Sequence, residues 1–216
     1  MPGRAVPLVN GHFYHVFNRG NDKRTIFVQP RDFERFIQTM FYYQDCRTKP
    51  RLSHLNKKML KEFLPAEDEM CVKIISYCLM PNHFHLLLQQ LKAGGIAKFL
   101  SQISNSYTRY FNTKYGRTGS LLQGVFKSVY VEDDEQLMHL SRYIHLNPTV
   151  SGLVKRPQNY PYSSYSSFLA GEDFLCSLDE ILSFFPKKGS YQEFVDNQID
   201  YGKSLEVIKH KSIDFH

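Results

Sequence analysis

Residues 77–90 read YCLMPNHFHLLLQQ, and this stretch decides the fold. Apolar residues surround Met80-Pro81-Asn82, which is typical of a tight turn. Residues 71–79, CVKIISYCL, are rich in apolar and β-branched residues, as strands are. The segment therefore predicts two antiparallel strands joined by a tight turn, a β-hairpin.

The second strand of this hairpin carries two histidines, His83 and His85, separated by Phe84. Because side chains alternate across a strand, the two imidazoles share one face, while Phe84, Leu86 and Leu88 point to the other. Neutral imidazole is a frequent metal ligand, so the pair indicates a metal or phosphate site. The alternative is that both histidines are ordinary, half-buried residues held by hydrogen bonds.

Hydrophobic periodicity predicts the remaining elements. They are strands over residues 11–20 and 125–131 and helices over residues 29–41, 96–112 and 135–147. The last helix is expected to be capped by Asp133 or Asp134 and stopped by Pro148. The order β-α-β-β-α-β followed by a helix predicts an α+β fold. It is a ferredoxin-like, RRM-like split β-α-β with an antiparallel four-stranded sheet and two helices on one face.

Two segments fall outside this arrangement. Residues 47–69 are Lys-rich and irregular, which indicates a surface insertion with a short helix over 57–64. The chain from residue 157 begins with a stretch rich in Pro, Ser and Tyr, and short helices are predicted around residues 177–185 and 191–201. We expect a domain over residues 1–156 and a helical C-terminal extension over 157–216, which packs on the domain or serves as a lid or partner surface.

Composition restricts the class of protein. With 216 residues, 42% of them hydrophobic, the chain can bury one sizeable core. No apolar run approaches the roughly 18 residues of a membrane span, and the first residues lack the pattern of a signal peptide, so we expect a soluble cytoplasmic protein. The four cysteines have no Cys-x-x-Cys spacing, which predicts free thiols and neither a disulfide framework nor a zinc knuckle.

Basic residues outnumber acidic ones, 27 against 21, which gives a net charge of +6. Between residues 92 and 156 they alternate with aromatic residues, a pattern that suits a surface binding phosphates and stacking unpaired bases. Solvated lysines over a Tyr-rich core would give the same pattern. The candidate DNA contacts are Arg19, Lys98, Arg109, Arg117, Lys127 and Arg142.

Two imidazoles are too few for a metal site, so a further ligand should come from a neighbouring element. In the third predicted helix, Tyr143 and Asn147 are four residues apart and therefore share one helical face. They could supply a nucleophile and a ligand. Taken alone, they are more simply a tyrosine at the edge of the core and a C-terminal helix residue before Pro148.

Four motifs, in this order and spacing, resemble those of the single-tyrosine HUH transposases of bacterial insertion sequences. They are YHVFNRG at 14–20, MPNHFHLLL at 80–88, SYTRYFN at 106–112 and RYIHLNP at 142–148. The similarity covers about residues 10–156 and is strongest to the REP-associated tyrosine transposases. Together the four motifs are specific, although the His-x-His pair alone is not.

The resemblance implies a function and a site. His83 and His85 would bind Mg²⁺ or Mn²⁺, Asn147 would complete the coordination, and Tyr143 would attack DNA. The expected activity is that of a DNA nickase and strand transferase, which acts on single-stranded DNA beside a hairpin through a 5′-phosphotyrosine intermediate. Members of the family act as monomers or homodimers.

Two departures from the family pattern stand out. Val125 occupies a position where the family often has Arg, which weakens one expected phosphate contact, and the insertion over 47–69 is longer than the expected short connector. Two other functions remain open: a non-cleaving protein that binds DNA hairpins as a regulator, and a metal-dependent phosphodiesterase that uses water.

Overall fold

A four-stranded antiparallel sheet forms the centre of the protein, which we describe from a computed structural model. The structure describes residues 7–47, 50, 52–55, 59, 62, 63, 66–187 and 189–199. The strands are β1 (Phe13–Arg19), β2 (Val72–Met80), β3 (His83–Gln90) and β4 (Lys127–Tyr130). Their order in the sheet is β2-β3-β1-β4. This is the order of a split β-α-β fold, and the predicted fold class is confirmed.

The predicted hairpin is formed by β2 and β3. Their register runs from Val72 opposite Gln90 to Met80 opposite His83, with one irregularity between Ile74 and Ser76. Nearly every side chain of β2 is buried, on both faces of the sheet. A strand covered on both faces needs a nearly continuous apolar sequence, which explains why this stretch does not alternate.

Two helices, α1 (Pro30–Tyr43) and α2 (Gly95–Lys114), pack together on one face of the sheet. Pro30 stands in the first turn of α1, where its missing N–H costs nothing. Phe36 of α1 contacts Phe84 of β3 and Tyr107 of α2, with ring centroids 5.1 and 5.0 Å apart. The helices therefore cover the face that carries Phe84, opposite the histidine pair.

The third helix, α3 (Asp134–Val150), lies on the other face and packs mainly against β2. Asp133 caps it by accepting a hydrogen bond from the Gln136 N–H at 2.7 Å. The prediction that Pro148 stops this helix is wrong. Pro148 is buried inside the last turn, and the Ser151 N–H still donates to the Asn147 carbonyl at 3.0 Å. Pro148 cannot donate a backbone hydrogen bond, but near the end of the helix the turn is retained.

The C-terminal extension runs along the outer edge of β2. It contains α4 (Tyr165–Ala170), α5 (Asp179–Leu182) and α6 (Ser190–Asp196). Isolated bridges join Cys78 to Ser163 and Ile74 to Cys176. They satisfy part of the sheet edge, which would otherwise be open to pairing with another chain.

Several predicted boundaries differ from the structure. The helix over 165–170 was not predicted, and the one expected over 191–201 ends at Asp196. The fourth strand is limited to Lys127–Tyr130. The short helix expected over 57–64 lies for the most part outside the described residues. In the described part of the chain, no helix has the length and apolar character needed to cross a membrane.

A buried histidine joins α3 to the extension. His145 is fully buried, with Nδ1 2.7 Å from the Tyr191 hydroxyl and Nε2 2.8 Å from the Ser164 hydroxyl. The Tyr191 hydroxyl also lies 3.0 Å from that of Ser141. Both ring nitrogens have a partner while the ring is neutral, and burial lowers the pKa of His145 from 6.5 to about 3.

This histidine should make stability depend on pH. The unfolded chain protonates His145 below pH 6.5, whereas the folded protein does not until about pH 3. The lowered pKa therefore removes stability as pH falls from 6.5, by up to about 1.4 kcal/mol per pH unit. Urea unfolding at pH 7, 6 and 5 should show a steeper loss of unfolding free energy in the wild type than in His145→Gln. Equal slopes in the two proteins would contradict this role of His145.

Candidate active site

A cleft of about 890 Å³ opens on the sheet face that carries α3. Its walls are β1, the turn and start of β3, the segment before β4 and the second half of α3. The four residues predicted to act together, His83, His85, Tyr143 and Asn147, all line this cleft. They come from two elements that are about sixty residues apart in sequence, and the packing of α3 on the sheet brings them together.

The two histidines are neutral and have a fixed orientation. Their ring centroids are 5.0 Å apart, and Nδ1 of His83 donates to Asn82 Oδ1 at 2.6 Å. Burial, with a smaller contribution from Arg19, lowers the pKa of His83 to about 4. Burial, His15 and His83 lower that of His85 well below 6.5. At neutral pH the Nε2 atom of His83 therefore carries a lone pair and no proton, as a metal ligand requires.

A third histidine, His15 on β1, belongs to the same cluster. Its Nε2 is 2.9 Å from Nδ1 of His85, and the two rings are stacked with centroids 5.1 Å apart. Because this contact uses Nδ1 of His85, Nε2 is the ring nitrogen of His85 that remains for another partner. Sequence reasoning did not assign His15 to the site. The signal was present, because His15 lies in the YHVFNRG motif on the same strand face as Phe17 and Arg19, but the β1–β3 register was needed to use it.

Tyr143 and Asn147 face this cluster from α3. The Tyr143 side chain is 48% exposed, and its ring lies edge-on to that of His85 with centroids 5.6 Å apart. Asn147 Nδ2 donates to the Tyr143 carbonyl at 2.9 Å. The side-chain oxygen Oδ1 is not used in this hydrogen bond and has lone pairs for another partner. Since α3 continues to Val150, Asn147 lies in the last turn of the helix, and its carbonyl accepts a hydrogen bond from the Ser151 N–H.

The basic residues predicted to contact DNA do not form one surface. Arg19 and Lys127 line the cleft, and Arg19 Nε donates to Gln123 Oε1 at 3.1 Å. Arg117 follows α2 and donates to Asn112 Oδ1 at 3.0 Å. Val125, in the position where the resemblance leads us to expect Arg, is 72% exposed at the rim of the cleft.

The other three basic residues lie elsewhere. Lys98 and Arg109 are on α2, on the opposite face of the sheet. Arg142 turns towards the extension, where its guanidinium stacks on Phe194 at 4.1 Å and donates to the Phe194 carbonyl at 3.3 Å. The packing of the extension therefore determines where Arg142 points.

The donor set can be compared with the needs of a metal ion. Within the residues that the structure describes, no three His, Cys, Asp or Glu side chains form a group that could hold one. The atoms in the cleft whose chemistry would suit a metal ion are instead Nε2 of His83, Nε2 of His85 and Oδ1 of Asn147. All three are neutral and none is used by the hydrogen bonds described above. They fit a divalent cation that keeps several positions for water or phosphate oxygens.

Comparison with known proteins identifies the class. Residues 9–147 match the sequence model of the family described as "Transposase IS200 like". The chain belongs to the IS200-like transposase family. It is also 30% identical over 121 residues to a Haemophilus influenzae protein provisionally named a REP-associated tyrosine transposase, a match that spans 49% of this chain and 68% of that one.

The fold is similar to a solved structure of a REP-associated tyrosine transposase bound to a REP hairpin. The TM-score is 0.57 at 14% sequence identity, and the match covers 83% of this chain and 93% of the other. At this identity the similarity concerns the fold. Together with the sequence match, it agrees with the resemblance that the four motifs indicated.

Proposed function

We propose that the protein is a metal-dependent DNA nickase and strand transferase that acts on single-stranded DNA beside a hairpin. One observation carries this proposal: a partly exposed tyrosine, Tyr143, stands 5.6 Å from the ring of His85 in a cleft that also contains Arg19 and Lys127. The residues proposed as nucleophile, metal ligands and phosphate contacts therefore line one cavity. The relative whose fold it resembles was solved with a hairpin, which supports the same type of DNA partner here.

In the proposed reaction, the Tyr143 oxygen forms a bond to phosphorus and the bond from phosphorus to the 3′-oxygen breaks. The phenol loses a proton, the leaving 3′-oxygen gains one, and the product is a 5′-phosphotyrosine that a later 3′-hydroxyl can attack. The number of phosphoester bonds is unchanged, so no nucleoside triphosphate is needed. A bound Mg²⁺ or Mn²⁺ would polarise the phosphate.

The protein's own residues position the strand and the tyrosine. Arg19 and Lys127 at the cleft offer positive charge to the phosphates on either side of the target bond. His15 holds the His85 ring, and Asn147 holds the backbone of the turn that presents Tyr143. Two neighbours of Tyr143 in sequence take no part, because His145 is buried on the opposite side of α3 and Arg142 stacks on Phe194.

The site would be complete within one subunit. Helix α3 packs on its own sheet through buried residues such as Leu137 and Ile144, and this packing brings Tyr143 to His85 within one chain. This arrangement supports a monomer that cuts with its own tyrosine over a dimer that exchanges the tyrosine helix. Sedimentation of the active complex with DNA would distinguish the two.

Replacing the nucleophile should abolish the covalent intermediate. Tyr143→Phe should form no adduct with a suicide oligonucleotide from the DNA beside the gene, because the phenyl ring has no attacking oxygen. Tyr130→Phe on β4, away from the cleft, is the control and should form it normally. Denaturing gel electrophoresis with Mn²⁺ measures the adduct. Persistent cleavage by Tyr143→Phe would indicate attack by water, and absence of any adduct with the folded wild type would indicate a regulator that binds without cutting.

Removing either imidazole should separate cutting from binding. His83→Ala and His85→Ala should abolish Mn²⁺-dependent cleavage but leave hairpin affinity within a few-fold, because binding rests on distributed phosphate and stacking contacts. His139→Ala, an exposed histidine of α3, is the matched control and should retain both. If His83→Ala and His85→Ala lose hairpin binding as completely as cleavage, the two histidines serve DNA recognition or folding.

Two further residues should affect the affinity for metal. Asn147→Ala removes one of three ligands, and His15→Phe removes the partner that orients His85. Each should weaken Mn²⁺ binding by about ten-fold or more. Electron paramagnetic resonance of free Mn²⁺ measures this without reference to cleavage. An unchanged affinity in Asn147→Ala would restrict Asn147 to its hydrogen bond with the Tyr143 carbonyl.

A further inference from the structure

A groove of about 640 Å³ lies between α1 and α2, on the sheet face opposite the cleft. Its lining includes Arg31 and Arg35 on α1 and Gln102, Asn105, Arg109 and Lys114 on α2, and no aspartate or glutamate lines it. This volume is in the range of roughly 300–1,000 Å³ that accommodates a small organic ligand such as a nucleotide unit. Cations stand on both walls, so an anion passing along the groove would meet positive charge from each helix.

The positive charge of the arginines is not neutralised within the described chain. Lys114 is paired with the buried carboxylate of Asp32 at 2.6 Å. The same carboxylate also accepts hydrogen bonds from the hydroxyls of Tyr110 and Tyr115, at 3.0 and 2.7 Å. Among the described residues, no carboxylate oxygen lies within 4 Å of a guanidinium nitrogen of the arginines in the groove, Arg31, Arg35 and Arg109.

Two of these arginines occupy positions that folding alone disfavours. Arg31 stands in the first turn of α1, where a positive charge opposes the helix dipole. Burial, together with the nearby charge of Arg31, lowers the pKa of Arg35 from its usual value. The Nε of Arg35 is buried without a hydrogen-bond partner among the described residues, and the guanidinium lies 5.6 Å from the ring centre of Tyr110. An anionic ligand would offset both disadvantages.

The groove also contains groups suited to a base. The Oε1 atom of Gln102 is buried without a partner, and the amide of Asn105 is exposed beside it on α2. Phosphate oxygens only accept hydrogen bonds from the arginines, whereas an unpartnered amide oxygen needs a donor such as the amino group of a base. The chemistry of the groove therefore matches a nucleotide unit better than a bare inorganic anion.

The segment that follows α2 connects this groove to the cleft. The chain leaves α2 at Lys114, passes Arg117 and reaches Gln123, whose side chain accepts from Arg19 Nε at 3.1 Å. The Gln123 N–H also donates to the Arg19 carbonyl at 2.8 Å. The segment ends next to β4, which forms one edge of the sheet. A DNA strand that passes around that edge would meet Arg117 between the groove and Arg19.

We propose that the groove between α1 and α2 is a second DNA-contact site, which binds the phosphodiester backbone through Arg31, Arg35 and Arg109 while the target phosphate lies at Tyr143. The choice of DNA as ligand rests on the proposed function. The site itself is separate from the chemistry, because none of its residues lines the cleft. Substitution of these arginines should weaken DNA binding without altering the residues of the cleft.

The test measures binding in the absence of divalent metal. A fluorescein-labelled hairpin oligonucleotide with a single-stranded flank, taken from the DNA beside the gene, is titrated with protein by fluorescence anisotropy at several salt concentrations. The variant is the double substitution Arg31→Gln and Arg109→Gln, since both side chains are exposed and, among the described residues, neither forms an ion pair that the fold would lose. The control is Lys155→Gln with Lys187→Gln, two exposed lysines outside the groove, which removes the same charge.

We expect the groove variant to bind about ten-fold or more weakly and to lower the slope of log affinity against log salt by about 1.5, because each phosphate contact contributes about 0.7–0.9. The control pair should change the slope much less. Asn105→Asp, which adds a negative charge to the groove without removing an arginine, should weaken binding in the same direction. Thermal melting by circular dichroism confirms that each variant is folded.

Other outcomes would overturn the proposal. If the groove and control variants have the same DNA affinity and the same salt slope, the groove contributes only as general surface charge. Competition by a mononucleotide, dAMP, or by inorganic phosphate as effective as that of the oligonucleotide would assign the groove to a small anion. The suicide-oligonucleotide assay is independent of these results. An adduct with the wild type and an unchanged groove variant would reject the groove alone, whereas no adduct and a weakened groove variant would reject the strand transferase alone.

Discussion

The register between β1 and β3 is the constraint on which the site depends. Phe17 lies opposite His85 and Arg19 opposite His83, so His15, Phe17 and Arg19 share the face of the histidine pair. The other face carries Tyr14, Val16 and Phe84, which form the core under α1 and α2. A slip of one residue would put imidazoles into that core and aromatic rings into the cleft. The burial that stabilises the sheet therefore also places His83 and His85 on the cleft face.

Helix α3 performs two tasks on its two sides. His145 and Tyr143 are two residues apart and point in different directions, the first to Tyr191 and Ser164 and the second to the cleft. The extension covers the side of α3 that carries His145 and closes the edge of β2. Because both sides of the helix are packed, the position of Tyr143 relative to His85 is fixed by the core and by the extension together.

Positive charge is divided between the two faces of the sheet. Arg19 and Lys127 lie at the cleft, whereas Arg31, Arg35 and Arg109 line the groove between α1 and α2. The modest net charge of +6 does not reveal this distribution. Ion pairs such as Lys114 with Asp32 neutralise part of the positive charge locally. A polymer with a charge at every phosphate can use both regions at once, which a small ligand cannot.

The sequence by itself determined the order of elements, the hairpin and the common face of His83 and His85, because strand and helix periods act over a few residues. It also determined the family, through four motifs with fixed spacing. The sequence wrongly predicted that the helix stops at Pro148, where burial of the last turn outweighs the local cost of proline. It could not show that His15 contacts His85 or that Arg142 turns away from the cleft. Those features depend on contacts between residues distant in the chain. Only the tertiary structure decides such contacts, since the register of the strands and the packing of the extension set them.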